Sequence, residues 1–226
     1  MACSKYANSF HIAIEGTIGA GKSTFLGILK NSLKEVFNEE FLVIPEPIEA
    51  WTNCEGENLL EKQYNEPRTF AFPFQVWAAS TKLSQLVESV EKLILVERTL
   101  AAQLKVFIPS LHQCLKATET RILESLLSSS LKNPRVMPDV IIYLKLSYVM
   151  AKARVWGRKR PEEGGLRTDT MMVLDALYDK WLLNEGNIPV IIIEYTHFLT
   201  ETQLSTLAKL LYEISVGKKI ASPYYL

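Results

Sequence analysis

Residues Gly16-Thr17-Ile18-Gly19-Ala20-Gly21-Lys22-Ser23-Thr24 follow the spacing G-x-x-x-x-G-K-[ST]. Glycines at such turns let the backbone bend tightly and aim several N–H groups at one anion. Lys22 adds a mobile positive charge for terminal phosphates, and the Ser23 hydroxyl suits a magnesium ion. The pattern carries weight only between a strand and a helix. Phe10–Glu15 before it is a short apolar run. Phe25, Leu26, Ile28, Leu29 and Leu33 after it recur with helical spacing. Strand, glycine turn and helix together make 16–24 a phosphate cradle, with the positive end of the helix facing the anion.

The chain has 226 residues, 48% of them hydrophobic, which suits one large α/β domain over 1–226. Lys and Arg together number 25, as do Asp and Glu. That balance gives no global support for nucleic-acid or membrane-surface binding, so any anion site is local. The cysteines, Cys3, Cys54 and Cys114, show no C-x-x-C spacing, which fits a reducing compartment and no structural zinc. No apolar run approaches the ~18 residues of a membrane span. The short lead before Phe10 holds no signal or transit peptide, so a cytoplasmic protein is expected.

Working outward, residues 41–44 read as a second strand, closed by Pro45-Glu46-Pro47. The prolines stiffen the turn and fix Glu46 at a strand's C-terminal end, the edge where open α/β sheets bind ligands. Trp51 is expected on the loop that follows. Residues 59–64 suggest a short helix, and 68–92 a long one with Phe70, Phe74, Trp77, Leu83, Leu86 and Val90 at its apolar positions. Gln75 sits among these aromatics, where an amide can pair with a nucleobase edge while rings stack on its face. Residues 93–96 form a continuous apolar run, as a buried parallel strand requires, and end in Glu97-Arg98-Thr99. Helical patterns follow at 101–107 and 118–131, then a strand at 140–144. A helix from Tyr148 carries Arg154 and Arg158 on one face, followed by Arg160 and Gly164-Gly165, a flap expected over about 158–167. Residues 168–183 form another helix, 190–193 a fifth strand, and Thr200 with Gln203 caps a last helix at 201–214. The tail reads as irregular. Five strands alternating with helices predict a parallel sheet covered on both faces.

Phosphoryl transfer to a hydroxyl needs a phosphate cradle, a metal, countercharge and a proton acceptor. Glu46 and Glu97 are candidates for proton acceptor and metal partner, and Arg98, Arg154, Arg158 and Arg160 for countercharge. His11, His112 and His197 show no ligand spacing.

These motifs, in this order, resemble the deoxynucleoside kinases, the group of deoxycytidine, deoxyguanosine, mitochondrial-type thymidine and insect multisubstrate kinases. The resemblance runs from about Ile12 to Phe198 and rests on Glu15-Gly16 entering the glycine loop, Pro45-Glu46-Pro47 with Trp51, Tyr64-Asn65-Glu66-Pro67 with Phe74-Gln75, Glu97-Arg98-Thr99, and the arginine-rich lid. It implies a P-loop kinase fold and transfer of the γ-phosphoryl group of ATP, with Mg²⁺, to a deoxynucleoside 5′-hydroxyl. By the same resemblance Glu46 is the base, Lys22 and Arg98 stabilise the transferred group, and Ser23 and Glu97 serve magnesium. Trp51 and Leu60 line the nucleoside pocket, Phe74 stacks on the base and Gln75 pairs with its edge. Tyr64 and Glu163 hold the 3′-hydroxyl. Arg154, Arg158 and Arg160 grip phosphates. A homodimer is implied as well.

Two positions depart from the pattern. Lys82 stands where deoxycytidine and deoxyguanosine kinases carry arginine, and Gln103 where they carry aspartate. With Ala78 small, the expectation is a pyrimidine-leaning, broad specificity that takes thymidine and deoxycytidine. The rivals are a nucleoside monophosphate kinase, which needs more basic residues than Arg68 in the 64–75 segment, and a non-catalytic kinase-fold subunit.

Overall fold

The apolar runs become strands in a computed structural model that describes residues 9–39, 41–89, 91–185 and 188–226. Val90 and Cys3 fall outside these. The strands are β1 (Phe10–Glu15), β2 (Leu42–Ile44), β3 (Leu93–Glu97), β4 (Val140–Lys145), β5 (Val190–Glu194) and β6 (Tyr224–Tyr225). All pair in parallel, in the order β2-β3-β1-β4-β5-β6. The chain leaves β1 towards one edge and later crosses to the other side, so a crevice opens beyond the C-terminal ends of β1 and its neighbours.

Successive strand residues face opposite sides of the sheet and feed two cores. Ile12, Ile14, Leu95, Ile142 and Ile191 pack on α1 (Lys22–Phe37) and, on the same face, on the last helix, Glu201–Ser215. Ala13, Ile94, Val96, Ile141 and Ile192 face the other side, against helices that cover the crevice. Burial on both faces explains why the strands read as unbroken apolar runs.

The helices after α1 are α2 (Ile48–Thr52), α3 (Leu59–Asn65), α4 (Pro67–Glu88), α5 (Leu100–Ala102), α6 (Ile108–Ser110), α7 (Ala117–Ser130), α8 (Tyr148–Arg158), α9 (Thr168–Asp179) and α10 (Glu201–Ser215). The predicted capping box forms: Gln203 N–H donates to Thr200 Oγ1 at 3.3 Å, and Thr200 N–H donates to Gln203 Oε1 at 2.9 Å.

The structure corrects four expectations. The sheet has six strands, because the tail is not irregular throughout: Tyr224 and Tyr225 add to the outer edge of β5, whose backbone groups are otherwise unpaired. Trp51 lies on a short helix, since Pro47 accepts a hydrogen bond from Trp51 N–H at 3.2 Å and starts a turn. The long helix α4 stops at Glu88, where Ser89 turns extended and its hydroxyl donates to Leu86 O at 2.8 Å. Wider π-helical turns at Gln103–Phe107 and Lys180–Glu185 interrupt patterns read as plain α-helix.

Candidate active site

The glycine loop joins β1 to α1 and packs beneath α8. Gly19 is required there: it holds φ +86°, and a Cβ would lie 2.4 Å from the Ala151 carbonyl oxygen. Lys22 opens α1 and is buried, with Nζ donating to Thr17 O at 3.3 Å. Burial, reinforced by the Arg98 charge, lowers the Lys22 ammonium to about 8. Beside it the Ser23 hydroxyl donates to Glu97 Oε1 at 3.0 Å. Among the described residues no three acidic, histidine or cysteine side chains converge as a metal cage. A hydroxyl with one carboxylate is a donor set that fits Mg²⁺, which keeps several waters and shares substrate phosphates.

The C-terminal ends of β1, β2 and β3 bring four further groups together. Arg98 takes a left-handed φ of 63°, held by its N–H to Ile14 O at 3.0 Å. Such a conformation costs a non-glycine residue about 1–3 kcal/mol. It points the guanidinium back over the sheet, where Nε donates to Glu46 Oε1 at 2.5 Å and Nη1 donates to the Tyr178 hydroxyl. Tyr178 in turn donates to Glu15 Oε2 at 3.1 Å, and Glu15 Oε1 accepts from both the N–H and the hydroxyl of Thr99, each at 2.7 Å. The Phe107 ring lies 4.5 Å from the guanidinium carbon. Burial pushes the Glu46 carboxyl up, but Arg98, Lys22 and Lys82 outweigh it and hold the group below its usual range. Burial wins at Glu15, which is raised.

On the far side of Glu46, Trp51 and Phe74 meet edge to face with centroids 5.6 Å apart, and Leu60 and Ala78 complete an apolar wall. Trp51 Nε1 is anchored on Thr81 Oγ1 at 3.0 Å. At the base of this wall three buried amides form a row. Gln75 Nε2 donates to Gln63 Oε1 at 2.8 Å, and Gln103 Nε2 donates to Gln75 Oε1 at 2.8 Å and to Gln75 O at 2.6 Å. Tyr64 stands at the mouth, its phenol pushed upward by burial and the Glu163 charge.

The lid follows α8. Lys159 ends the helix with φ 51°, and a single 3-10 turn, Pro161–Glu163, carries Glu163 back to Arg158. Arg158 Nε donates to Glu163 Oε2 at 2.9 Å and Nη2 donates to Glu163 Oε1. Gly165 lets this segment rest on α3, since a Cβ would lie 3.0 Å from the Tyr64 carbonyl carbon and 3.1 Å from Asn65 N.

One cavity of about 270 Å³ connects the loop to the aromatic wall. It is lined by Ile18, Gly19, Gly21, Lys22, Ser23 and Thr24; by Glu46, Glu97 and Arg98; by Trp51, Leu60, Tyr64, Phe74, Gln75, Ala78, Lys82 and Gln103; and by Arg158, Arg160 and Glu163. Gly16, Thr17, Ala20 and Arg154, also expected at phosphates, are not in its wall. Arg154 instead donates to Ala20 O at 2.9 Å, Tyr195 O at 3.1 Å and Thr196 O at 3.2 Å, and so ties the loop to the end of β5. Lys82 lines the cavity but spends its ammonium on Pro45 O at 3.3 Å and Glu97 O at 2.7 Å, cross-linking the ends of β2 and β3. Sequence reasoning passed over Gln63 and Tyr178. Gln63 lies one residue before Tyr64 and faces inward, a placement that the helical phase of 59–65 predicts only once Leu60 is known to be buried. Tyr178 has no local signal.

Similarity to known proteins bears on this arrangement. A family model described as deoxynucleoside kinase matches residues 12–214. A probable deoxycytidine kinase of fowlpox virus is 31% identical over 199 residues, covering 85% of this chain and 80% of its own. Deoxycytidine kinase 1 of Xenopus laevis is 30% identical, covering 76% of this chain and 73% of its own. Human mitochondrial thymidine kinase 2 is 26% identical, covering 83% of this chain and 71% of its own.

Proposed function

The chain belongs to the deoxynucleoside kinase family, and from that membership we propose how its residues divide the work of phosphorylating a pyrimidine deoxynucleoside. The reaction transfers the γ-phosphoryl group of ATP to the 5′-hydroxyl. The loop 16–24 receives the phosphates, with Lys22 set against the β- and γ-oxygens. Ser23 and Glu97 would hold Mg²⁺, which would supply charge neutralisation to the phosphates. The nucleoside base lies against Phe74 and Trp51 with its edge on Gln75, and Tyr64 and Glu163 take the 3′-hydroxyl.

Glu46 accepts the 5′-hydroxyl proton as the 5′-oxygen bonds to the γ-phosphorus. The bond from that phosphorus to the β–γ bridging oxygen breaks, and ADP leaves. Held ionised by its cationic neighbours, Glu46 is free to take a proton at neutral pH. Arg98 orients the carboxylate before transfer and faces the moving group during it. Arg158 and Arg160 supply further charge from the lid. Arg158 trades Glu163 for a phosphate oxygen as Glu163 turns to the sugar, so the same switch commits both ends of the lid.

The observation that carries this reading is the Arg98–Glu46 pair inside the cavity that also contains Lys22 and Ser23. A monophosphate acceptor would need more cationic groups at the aromatic end, and Arg68 is exposed outside the cavity. Release of ADP in the presence of each deoxynucleoside or its monophosphate tests the proposal. Turnover is expected with pyrimidine deoxynucleosides, and turnover with monophosphates alone would refute it. The dimer belongs to the same reading: Ile122 and Leu126 leave an apolar stripe exposed on α7 for a second copy. Sedimentation equilibrium should read twice the chain mass, and a single-chain mass would remove the dimer.

A further inference from the structure

Pairing of β2 with β3 ends at Ile44 opposite Val96. The next positions in that register are Pro45 and Glu97, and proline has no N–H to give a further rung. Two carbonyls cannot bond each other, so a donor must come from outside the sheet. Lys82, 5% exposed, supplies it from α4: Nζ donates to Glu97 O at 2.7 Å and to Pro45 O at 3.3 Å. An ammonium suits the task, because its donors spread in different directions on a mobile stem, whereas a guanidinium fork lies in one plane.

The two carbonyls stand at telling places in the chain. Pro45 O lies on the peptide that leads into Glu46, and Glu97 O on the peptide that leads into Arg98. One ammonium therefore grips the backbone immediately before each partner of the Arg98–Glu46 pair. Arg98 needs the grip most. It holds φ 63°, a conformation that a residue with a side chain keeps only where its surroundings over-determine it. Its own N–H is fixed on Ile14 O at 3.0 Å, and Lys82 fixes the carbonyl at the other end of the same peptide. With both ends pinned, the peptide plane is held against rotation and the guanidinium stays aimed at Glu46.

We propose that Lys82 is a positioning residue for phosphoryl transfer: through the two carbonyls it sets Glu46 and Arg98 against each other, and it reads no part of the nucleoside base. The inference rests on the reading of Glu46 as the proton acceptor. Loss of the ammonium is then felt in the transition state, where proton acceptor and countercharge must be aligned together, and not in the binding of the nucleoside. That loss is the same for every deoxynucleoside the enzyme accepts.

Lys82→Met keeps the length of the stem and removes the ammonium. With ATP saturating, its kcat should fall about tenfold or more for each deoxynucleoside that the wild type accepts, with each KM within about threefold and their ranking unchanged. In a Glu46→Gln background the same substitution should cost about threefold or less, because two residues acting on one step are not additive. Wild-type kcat in Lys82→Met, or a ranking of nucleosides that shifts with KM, would overturn the proposal. An equal loss in both backgrounds would make Lys82 a structural residue only. Wild-type kcat in Glu46→Gln alone would defeat the proton-acceptor reading, and this inference with it. Should Lys82→Met fail to fold, a crystal structure of the wild type with a deoxynucleoside and ADP decides. Nζ should remain within hydrogen-bond distance of both carbonyls, and Nζ turned onto the base would refute the assignment.

Discussion

Tyr178 holds Arg98 from behind: its hydroxyl accepts from Arg98 Nη1 while donating to Glu15 Oε2 at 3.1 Å. The Arg98–Glu46 ion pair is therefore one end of a chain that runs Glu46, Arg98, Tyr178, Glu15, Thr99, and ties the ends of β1, β2 and β3 to α9. Burial keeps the Tyr178 phenol far above its ordinary range, so it stays protonated and can donate to Glu15 while it accepts from the guanidinium.

Tyr178 acts through Arg98 and touches no substrate in the proposed scheme. Tyr178→Phe keeps the ring and removes the hydroxyl. Its kcat should fall about tenfold while the nucleoside KM changes by less than about threefold, since the loss is in transition-state positioning. A variant with lowered stability and unchanged kcat would make Tyr178 a structural residue only.

The lowered Lys22 value predicts a basic limb. A lysine at about 8 is charged below that pH and loses its proton as pH rises through it. The free enzyme should therefore lose kcat/KM for ATP above about pH 8. Bound phosphates stabilise the ammonium and should move the limb in kcat to higher pH. Arginine stays protonated throughout this range, so Lys22→Arg, though weaker, should lack the limb. A flat profile to pH 10 in the wild type would contradict this account.

Arg154 was expected at a phosphate and is found on three carbonyl oxygens instead. Arg154→Ala should lower unfolding stability by roughly 2 kcal/mol, read by urea titration, because the carbonyls lose a charged donor. Arg154→Lys should recover little of it, since an ammonium cannot fork between the glycine loop and the end of β5. If stability is untouched and only ATP affinity falls, the clamp is wrong and the phosphate role returns.

How much of this was legible in the chain follows from how local each signal is. The five longer strands are apolar runs, four of them largely buried on both faces and β2 only partly buried, so composition alone marks them. The loop 16–24 and Pro45-Glu46-Pro47 carry backbone requirements that only glycine and proline meet, and those stand out. β6 is two residues long and gains its identity from the open edge of β5, which no window of sequence contains. The π-helical turn at Gln103–Phe107 reuses the same apolar residues as an α-helix while adding one residue to the turn, so its pattern reads as α. Tyr178 counts as one more apolar residue on the inner face of α9, and its hydroxyl matters only because the fold brings Glu15, 163 positions away, to meet it. Lys82 and Arg154 show the converse: a cation near a site reads as a ligand contact until the carbonyls it satisfies are seen.

The central claim is that Glu46, fixed by Arg98 beside the glycine loop, takes the proton from the attacking hydroxyl. Glu46→Gln keeps the size and the hydrogen-bonding oxygen but cannot accept that proton. The direct measurement is kcat by ADP release together with deoxynucleoside affinity by calorimetry on the same protein. The account predicts that kcat falls by about 10²–10⁴-fold while affinity stays within about threefold. Turnover equal to the wild type with binding intact would contradict it.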